Sequence, residues 1–232
     1  MKRNLSALVL RLCVWTAVVL YPTAVAAQDV PFRISVFGGI SFLNGERAFL
    51  LVDDFFQSEF KNGGTVGLRG TADMADAFAV EGSYSLSTND LRITERQPRR
   101  ERTYDLNIHR LDGNLHYYFA RVDDPFRPFM TAGIGLARFG PSSDAKQLAG
   151  TRFIDEPTRI SSSNQFSFNF GSGLEGRVSD LLGWRVDLRD HITGMPRFGV
   201  PETPLSPGDV SFPVSGVIHN VGLAFSLVFR LN

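Results

Sequence analysis

The sequence predicts an all-β fold, an eight-stranded antiparallel up-and-down β-barrel that crosses a membrane. Eight segments alternate between apolar and polar residues, as strands do when their two faces meet different surroundings. The connections between these segments are alternately short and long. Beyond the first 27 residues no apolar run approaches the roughly 20 residues of a membrane-spanning helix. A bilayer would therefore have to be crossed by a closed barrel, in which every backbone polar group is paired.

The first 27 residues are predicted to be a cleaved Sec signal peptide. Lys2 and Arg3 supply the basic start, a short apolar run follows, and small residues precede a cut after Ala26 or Ala27. The alternative is an uncleaved anchor, which is disfavoured because a proline and small residues follow the apolar run at once. Residues 28–232 are then predicted to be one barrel domain.

The composition excludes several classes of protein. The single cysteine, Cys13, lies in the predicted signal peptide, so the mature chain would have neither a disulfide framework nor a thiolate zinc site. Lys+Arg and Asp+Glu balance at 24 each, which argues against a nucleic-acid partner and against a polybasic membrane-surface protein.

The first three predicted strands separate apolar from polar residues by parity. "FRISVFGGISF" alternates throughout, with Phe37 as the exception. "GTVGLRG" sets Val66 and Leu68 against Arg69, and "AFAVEGSYSL" sets its large apolar residues against Glu81. These segments predict strands with one apolar and one polar face.

The fourth predicted strand, "YDLNIHRLDGNLHYYF", contains two halves of opposite parity. Leu111 begins the late apolar set, whereas Leu106 and Ile108 form an early set on the other face. Either a bulge near His109 or Arg110 reconciles the halves, or the early half stands clear of the lipid. The fifth strand, "RPFMTAGIGLARF", alternates regularly.

Three further segments complete the set of eight: "FSFNFGSGLEGRV", "WRVDLRDH" and the closing "HNVGLAFSLVFRLN". Short turns join strands two and three, four and five, and six and seven, with the sequences "TADMAD", "ARVDDP" and "SDLLG". The other connections are long, and they cover about residues 43–63, 87–103, 140–165 and 192–217. Short turns at one rim and long loops at the other are typical of a membrane barrel.

The polar face is predicted to point into the lumen, because a membrane barrel turns its apolar face to lipid. Eight strands enclose an interior that side chains just fill, so charges on this face must pair. Both signs are present, which favours a plugged lumen over an open ion channel. The predicted lumen network consists of Arg69, Glu81, Arg110, Asp112, Glu175, Arg177, Arg185, Asp187, Arg189 and Arg230.

Several aromatic residues lie near the strand ends that are connected by short turns, as in an interfacial girdle. The alternative is that they form the core of a soluble β-sandwich. The predicted girdle residues are Phe32, Tyr117, Phe119, Phe126, Phe129, Trp184 and Phe229.

The segments "LDGNLHYYF" and "RPFMTAGIGL", together with the closing alternation, carry a family resemblance. From about Phe32 to the last residue, the chain resembles the OmpA-like and OmpX-like eight-stranded outer-membrane β-barrels. The resemblance implies an outer-membrane location and insertion by the barrel assembly machinery. In that family the insertion signal is a final strand that usually ends in an aromatic residue, whereas this chain ends in "FRLN".

A non-enzymatic, structural or surface-interaction role is the function that these features predict. None of the four histidines has metal-ligand spacing, so no metal, cofactor or catalytic residue is predicted. Membrane barrels can also be enzymes, such as lipid A deacylases, which use a serine close to a histidine, but His219 in "HNVG" has no adjoining serine. The alternatives are a small pore and a lipid A-modifying enzyme. The expected partners are outer-membrane lipid, lipopolysaccharide and an unknown loop ligand, and the barrel is expected to be a monomer.

Overall fold

A computed structural model describes residues 31–44, 56–96, 99–143, 161–198 and 216–231. The predicted signal peptide lies outside these ranges and stays a prediction. Within them, no helix is long and apolar enough to cross a membrane. The strands of the described residues are β1 (Phe32–Asn44), β2 (Phe56–Phe60), β3 (Gly63–Ala75), β4 (Phe78–Arg96), β5 (Arg99–Tyr118), β6 (Phe126–Pro141), β7 (Ser163–Arg177), β8 (Leu182–Gly194) and β9 (Val217–Leu231).

Eight of these strands close into an antiparallel barrel, which confirms the predicted fold class. Neighbours in sequence pair from β3 to β9, and β1 pairs with both β3 and β9. Phe32 therefore has two partners, Ala72 on one side and Leu231 on the other. Closure leaves no sheet edge with unpaired backbone groups inside a membrane. The short strand β2 is additional and pairs only with β4.

The strands are staggered, and the stagger can be read from the register. Following backbone partners once around the barrel from Phe32 leads back to β1 at Phe42, ten residues further along the strand. A stagger of this size in an eight-stranded barrel corresponds to strands tilted by roughly 35–45° from the axis. Side chains on distant strands are thereby brought to the same height in the lumen.

The two faces of the barrel differ as predicted for a membrane protein. Large apolar side chains point outward, and Leu68 and Phe166 remain 54% and 61% exposed. Inward-pointing charged residues are buried, as Arg69 and Glu81 are, at 4% and 3% exposure. An apolar exterior that surrounds a polar interior suits acyl chains rather than water.

Of the two alternatives for this strand, the bulge near His109 or Arg110 is wrong. β5 pairs with β4 and β6 through this point without a register shift, and the shift on this side of the barrel falls between Asp73 and Ala75. Leu106 and Ile108 instead stay on the inner face and are completely buried. The inner surface becomes apolar toward the long-connection rim, where inward-pointing Leu43, Phe139 and Ile218 are also buried.

The second long connection, predicted at residues 87–103, is mostly strand. β4 and β5 remain paired as far as Arg96 and Arg99, while β3 stops pairing with β4 at Thr88. The eight further β4 residues, 89–96, extend the hairpin by roughly 25 Å at 3.3 Å per residue. β2 pairs with this extension, so the chain builds a three-stranded arm at the rim.

Candidate functional site: the polar lumen

The lumen is the candidate site because every strand of the barrel sends polar side chains into it. Alternation places residues of one parity inside, and the apolar outer face leaves the charged residues no other side. An unpaired charge there would cost several kcal/mol, whereas a well-formed ion pair offsets most of its own desolvation. The inward side chains meet in two clusters, one central and one near the short turns.

The central cluster is built around Glu81 on β4. Arg185 Nη1 and Arg189 Nη2 each lie 2.8 Å from one of its carboxylate oxygens. Asn114 Nδ2 donates at 3.1 Å, and His116 Nε2 lies 3.3 Å away. Both arginines belong to β8, which is directly opposite β4 in the closed barrel. These contacts therefore cross the lumen from wall to wall.

Asp187 extends the central cluster. Arg69 from β3 binds it in bidentate fashion, with N···O distances of 2.7 and 3.1 Å. Arg189 Nε and Arg185 Nε lie 3.1 and 3.5 Å from the same carboxylate. Arg185 and Arg189 thus each contact both acidic groups, which joins Glu81 and Asp187 into one network.

A second cluster lies near the short turns. Asp73 accepts two hydrogen bonds from Arg33, one of them at 2.9 Å, and lies 3.6 Å from Arg127 Nη1. Glu175 lies 3.6 Å from Arg33 Nε and 3.3 Å from Arg230 Nη2. The two acidic groups of this cluster are thus shared among three arginines.

Inward aromatic rings cover the guanidinium groups. Arg69 lies over Phe37 at 3.9 Å, Arg127 over Tyr118 at 3.8 Å and Arg185 over Phe129 at 4.2 Å. Such cation–π contacts stabilise a desolvated guanidinium. They explain why Phe37 breaks the alternation of β1. They also correct the predicted girdle, because Phe129 is buried in the lumen, whereas the other six girdle residues are exposed or half-exposed.

The structure brings together some of the predicted network residues and separates others. Glu175 and Arg230 belong to the short-turn cluster. Arg110 and Asp112 lie farther toward the long-connection rim, where Asp112 Oδ2 is 3.5 Å from His191 Nε2. Arg177 is at the short-turn rim and donates to the backbone carbonyl of Asp123. The remaining five predicted residues meet in the central cluster: Arg69, Glu81, Arg185, Asp187 and Arg189.

Six cluster members were absent from the predicted set. The alternation in the sequence could have placed three of them in the lumen, because they alternate with outward apolar residues: Arg33, Asn114 and His116. Tyr118 is concealed by its neighbour Tyr117, because consecutive aromatic residues show no contrast between faces. Asp73 and Arg127 lie where the strands meet short turns, and their sequence resembles that of the turns.

The outer face carries a separate polar pair that bears on enzymatic activity. His219 Nδ1 lies 2.7 Å from Asp190 Oδ2, on neighbouring strands β9 and β8. A histidine–carboxylate pair of this kind orients a general base when a nucleophile stands beside it. In the ranges that the structure describes, no serine hydroxyl is bonded to His219, and no group of residues could hold a metal ion.

Sequence and structure comparisons agree on the type of barrel. The profile of the family described as "Outer membrane protein beta-barrel domain" matches residues 13–215. Neisserial surface protein A superposes with a TM-score of 0.52 at 9% identity, covering 87% of this chain and 97% of that one. OprG from Pseudomonas aeruginosa gives 0.53 at 11% identity, covering 88% and 96%.

These identities indicate a shared fold and nothing finer. No curated protein sequence matches the chain. The family profile spans most of the chain, and the described strands form the closed apolar-faced barrel that such a family requires. The chain is therefore a member of the outer membrane protein β-barrel domain family.

Proposed function

We propose that the protein is a non-enzymatic outer-membrane barrel with a plugged lumen and a structural or surface-interaction role. The observation that carries the proposal is the central cluster, where Glu81 on one wall is held by Arg185 and Arg189 from the opposite wall. An ion passing through this point would have to displace side chains whose charges are already paired. Leaving one buried charge without its partner costs about 3–5 kcal/mol, so the resting lumen is expected to be closed.

Conductance in planar bilayers tests the plug. The refolded wild-type barrel is expected to show no discrete current steps, and heat-modifiable migration on a gel confirms that the inserted protein is folded. The variant Glu81→Gln, which removes the shared carboxylate, is expected to show intermittent steps. Frequent, regular steps from the folded wild-type protein would contradict the plug and favour the alternative of a small pore.

The three-stranded arm is the element best suited to surface interaction. The run "RQPRRER" spans residues 96–102, and its Arg96 and Arg99 are paired backbone positions of β4 and β5. Four arginines within seven residues of sequence suit phosphate groups, such as those of lipopolysaccharide. The long-connection rim would then be the outward one.

Binding to liposomes tests the arm. The variant with Arg99→Ser and Arg100→Ser is expected to bind lipopolysaccharide-containing liposomes less tightly than the wild type, and the difference should shrink at high salt. Arg121→Ser is the matched control, because Arg121 is an 81% exposed arginine side chain beside a short turn. Equal loss in the control would indicate nonspecific charge attraction instead.

The absence of turnover is tested on lipid A. The His219–Asp190 pair is the feature that favours an enzyme, and it has no nucleophile in the described contacts. Mass spectra of lipid A incubated with purified barrel are expected to be unchanged. Altered lipid A that returns to normal with His219→Ala would contradict the non-enzymatic proposal.

Assembly and oligomeric state complete the proposal. The closing pair of strands, β1 and β9, would be joined by the barrel assembly machinery during insertion, with outer-membrane lipid around the apolar face. Because closure leaves no free edge in the barrel wall for a second chain to pair with, the barrel is expected to be a monomer. Sedimentation in a density-matched detergent checks this.

A further inference from the structure

A small cavity lies in the lumen beyond the central cluster, toward the long-connection rim. The space that the centre of a water molecule can occupy in it is about 30 Å³. A single water needs roughly 10–15 Å³ on that measure, so the cavity has room for about two waters or one monatomic ion. The charged residues that line it are Arg69, Arg110, Arg189, Asp112 and Asp187.

Both acidic groups of the cavity wall already have partners. Asp187 binds Arg69 and Arg189. Asp112 places Oδ2 3.5 Å from Nε2 of His191, and its other oxygen has no hydrogen bond among the described residues. Neither carboxylate forms a salt bridge with the third arginine, Arg110, although the charge of Asp112 acts on it from farther away.

Arg110 is the arginine of the cavity wall that has no direct ion pair among the described residues. Its side chain is buried, and Nη1 donates to Ser87 Oγ at 3.2 Å. Nη2 is buried with no hydrogen-bond partner, and the described residues place no carboxylate within salt-bridge distance. Other unpartnered donors line the same cavity, among them Asn220 Nδ2. A buried guanidinium in this state strongly favours an anion beside it.

The charges of the whole lumen also favour a bound anion. With the imidazoles neutral, the described inward-facing groups contain two more cations than anions, and one bound anion would halve the excess. The cations are Arg33, Arg69, Arg110, Arg127, Arg185, Arg189 and Arg230, and the anions are Asp73, Glu81, Asp112, Glu175 and Asp187.

We propose that this cavity is a binding site for a small monovalent anion of the halide class, held by Arg110 Nη2 and the Asn220 amide. Room for about two waters suits a monatomic anion better than a tetrahedral oxyanion, which contains five heavy atoms. The inference goes beyond the proposed plug and has its own test, because bilayer conductance decides whether the lumen is closed and says nothing about which ion resides in it.

Anomalous diffraction from crystals of the full-length mature barrel grown in sodium bromide tests the site directly. The expected result is a bromine peak in the cavity, beside Arg110 Nη2. Water without an anomalous peak in that cavity would overturn the proposal, even if bromide bound elsewhere on the surface.

Thermal unfolding in detergent provides a second measurement. When sodium bromide replaces sodium gluconate at constant ionic strength, the midpoint is expected to rise and then saturate, because a ligand that binds only the folded state stabilises it. Arg110→Met should abolish this rise, whereas Arg138→Met, at an exposed arginine of β6, should keep it. A bromide response that survives in Arg110→Met would refute the site. If that variant does not fold, the wild-type comparison and the anomalous peak still decide.

Discussion

Replacing Glu81 with glutamine is the sharpest test of the lumen network. The substitution preserves shape but removes the charge that Arg185 and Arg189 contact at 2.8 Å each. One carboxylate oxygen becomes an amide group, which presents N–H donors to guanidinium donors. Both arginines keep Asp187, at 3.5 and 3.1 Å, so the penalty should resemble the loss of one buried partner rather than two. We expect a loss of about 3–5 kcal/mol in the free energy of unfolding.

Urea unfolding of the barrel refolded into phospholipid bilayers measures this loss. With an m-value of about 2–3 kcal/mol/M, the midpoint should fall by roughly 1–2.5 M. Asp105→Asn is the matched control: it changes the same chemical group at an exposed position on β5 and should stay within about 0.5 kcal/mol of the wild type.

A double-mutant cycle separates pairing from packing. Glu81→Leu combined with Arg185→Met should cost less than the sum of the two single changes, because apolar replacement of both partners leaves less uncompensated charge. If Glu81→Gln unfolds at the wild-type midpoint, the charges must be solvated, and the reasoning from buried ion pairs is refuted.

Other predictions concern the lipid face and closure of the barrel. Phe225→Arg puts a charge in the middle of the apolar face of β9 and should cost about 2–4 kcal/mol by bilayer refolding titration. A Cβ at Gly39 would overlap the backbone of Leu223 and lie 2.8 Å from Cα of Ala224. Gly39→Ala should therefore reduce the folded, heat-modifiable fraction, whereas Gly82→Ala, with open space around its added methyl group, should not. Equal folding of the two glycine variants would show that β1 and β9 can separate without loss.

The strands were predictable because alternation is a local property. Successive residues of a strand point to opposite faces and differ in polarity. Outward Leu68 followed by inward Arg69 is therefore enough to assign the two faces. Alternation does not indicate the faces correctly where that contrast is missing or reversed. Leu106 and Ile108 are apolar residues on the inner face, so their parity suggested a bulge. Phe129 is an aromatic residue that covers a guanidinium rather than lipid.

The partners within the lumen were not predictable in the same way. Glu81 is 104 residues from Arg185 and 108 from Arg189 along the chain. Their meeting depends on the number of strands and on the ten-residue stagger around the barrel. A change in either would leave every strand's alternation intact and still give each charge a different partner.

The alternation of apolar and polar residues in the sequence was thus sufficient to predict eight strands, the faces of most of their residues and a barrel with an apolar outer face. Closure of the sheet brought Glu81 to Arg185 and Arg189, and left Nη2 of Arg110 without a hydrogen-bond partner beside the small cavity. The physical reason is one of range. A period of two residues is imposed by each residue's immediate surroundings, whereas contacts across a lumen follow from strand number and stagger, which exist only once the first strand has met the last.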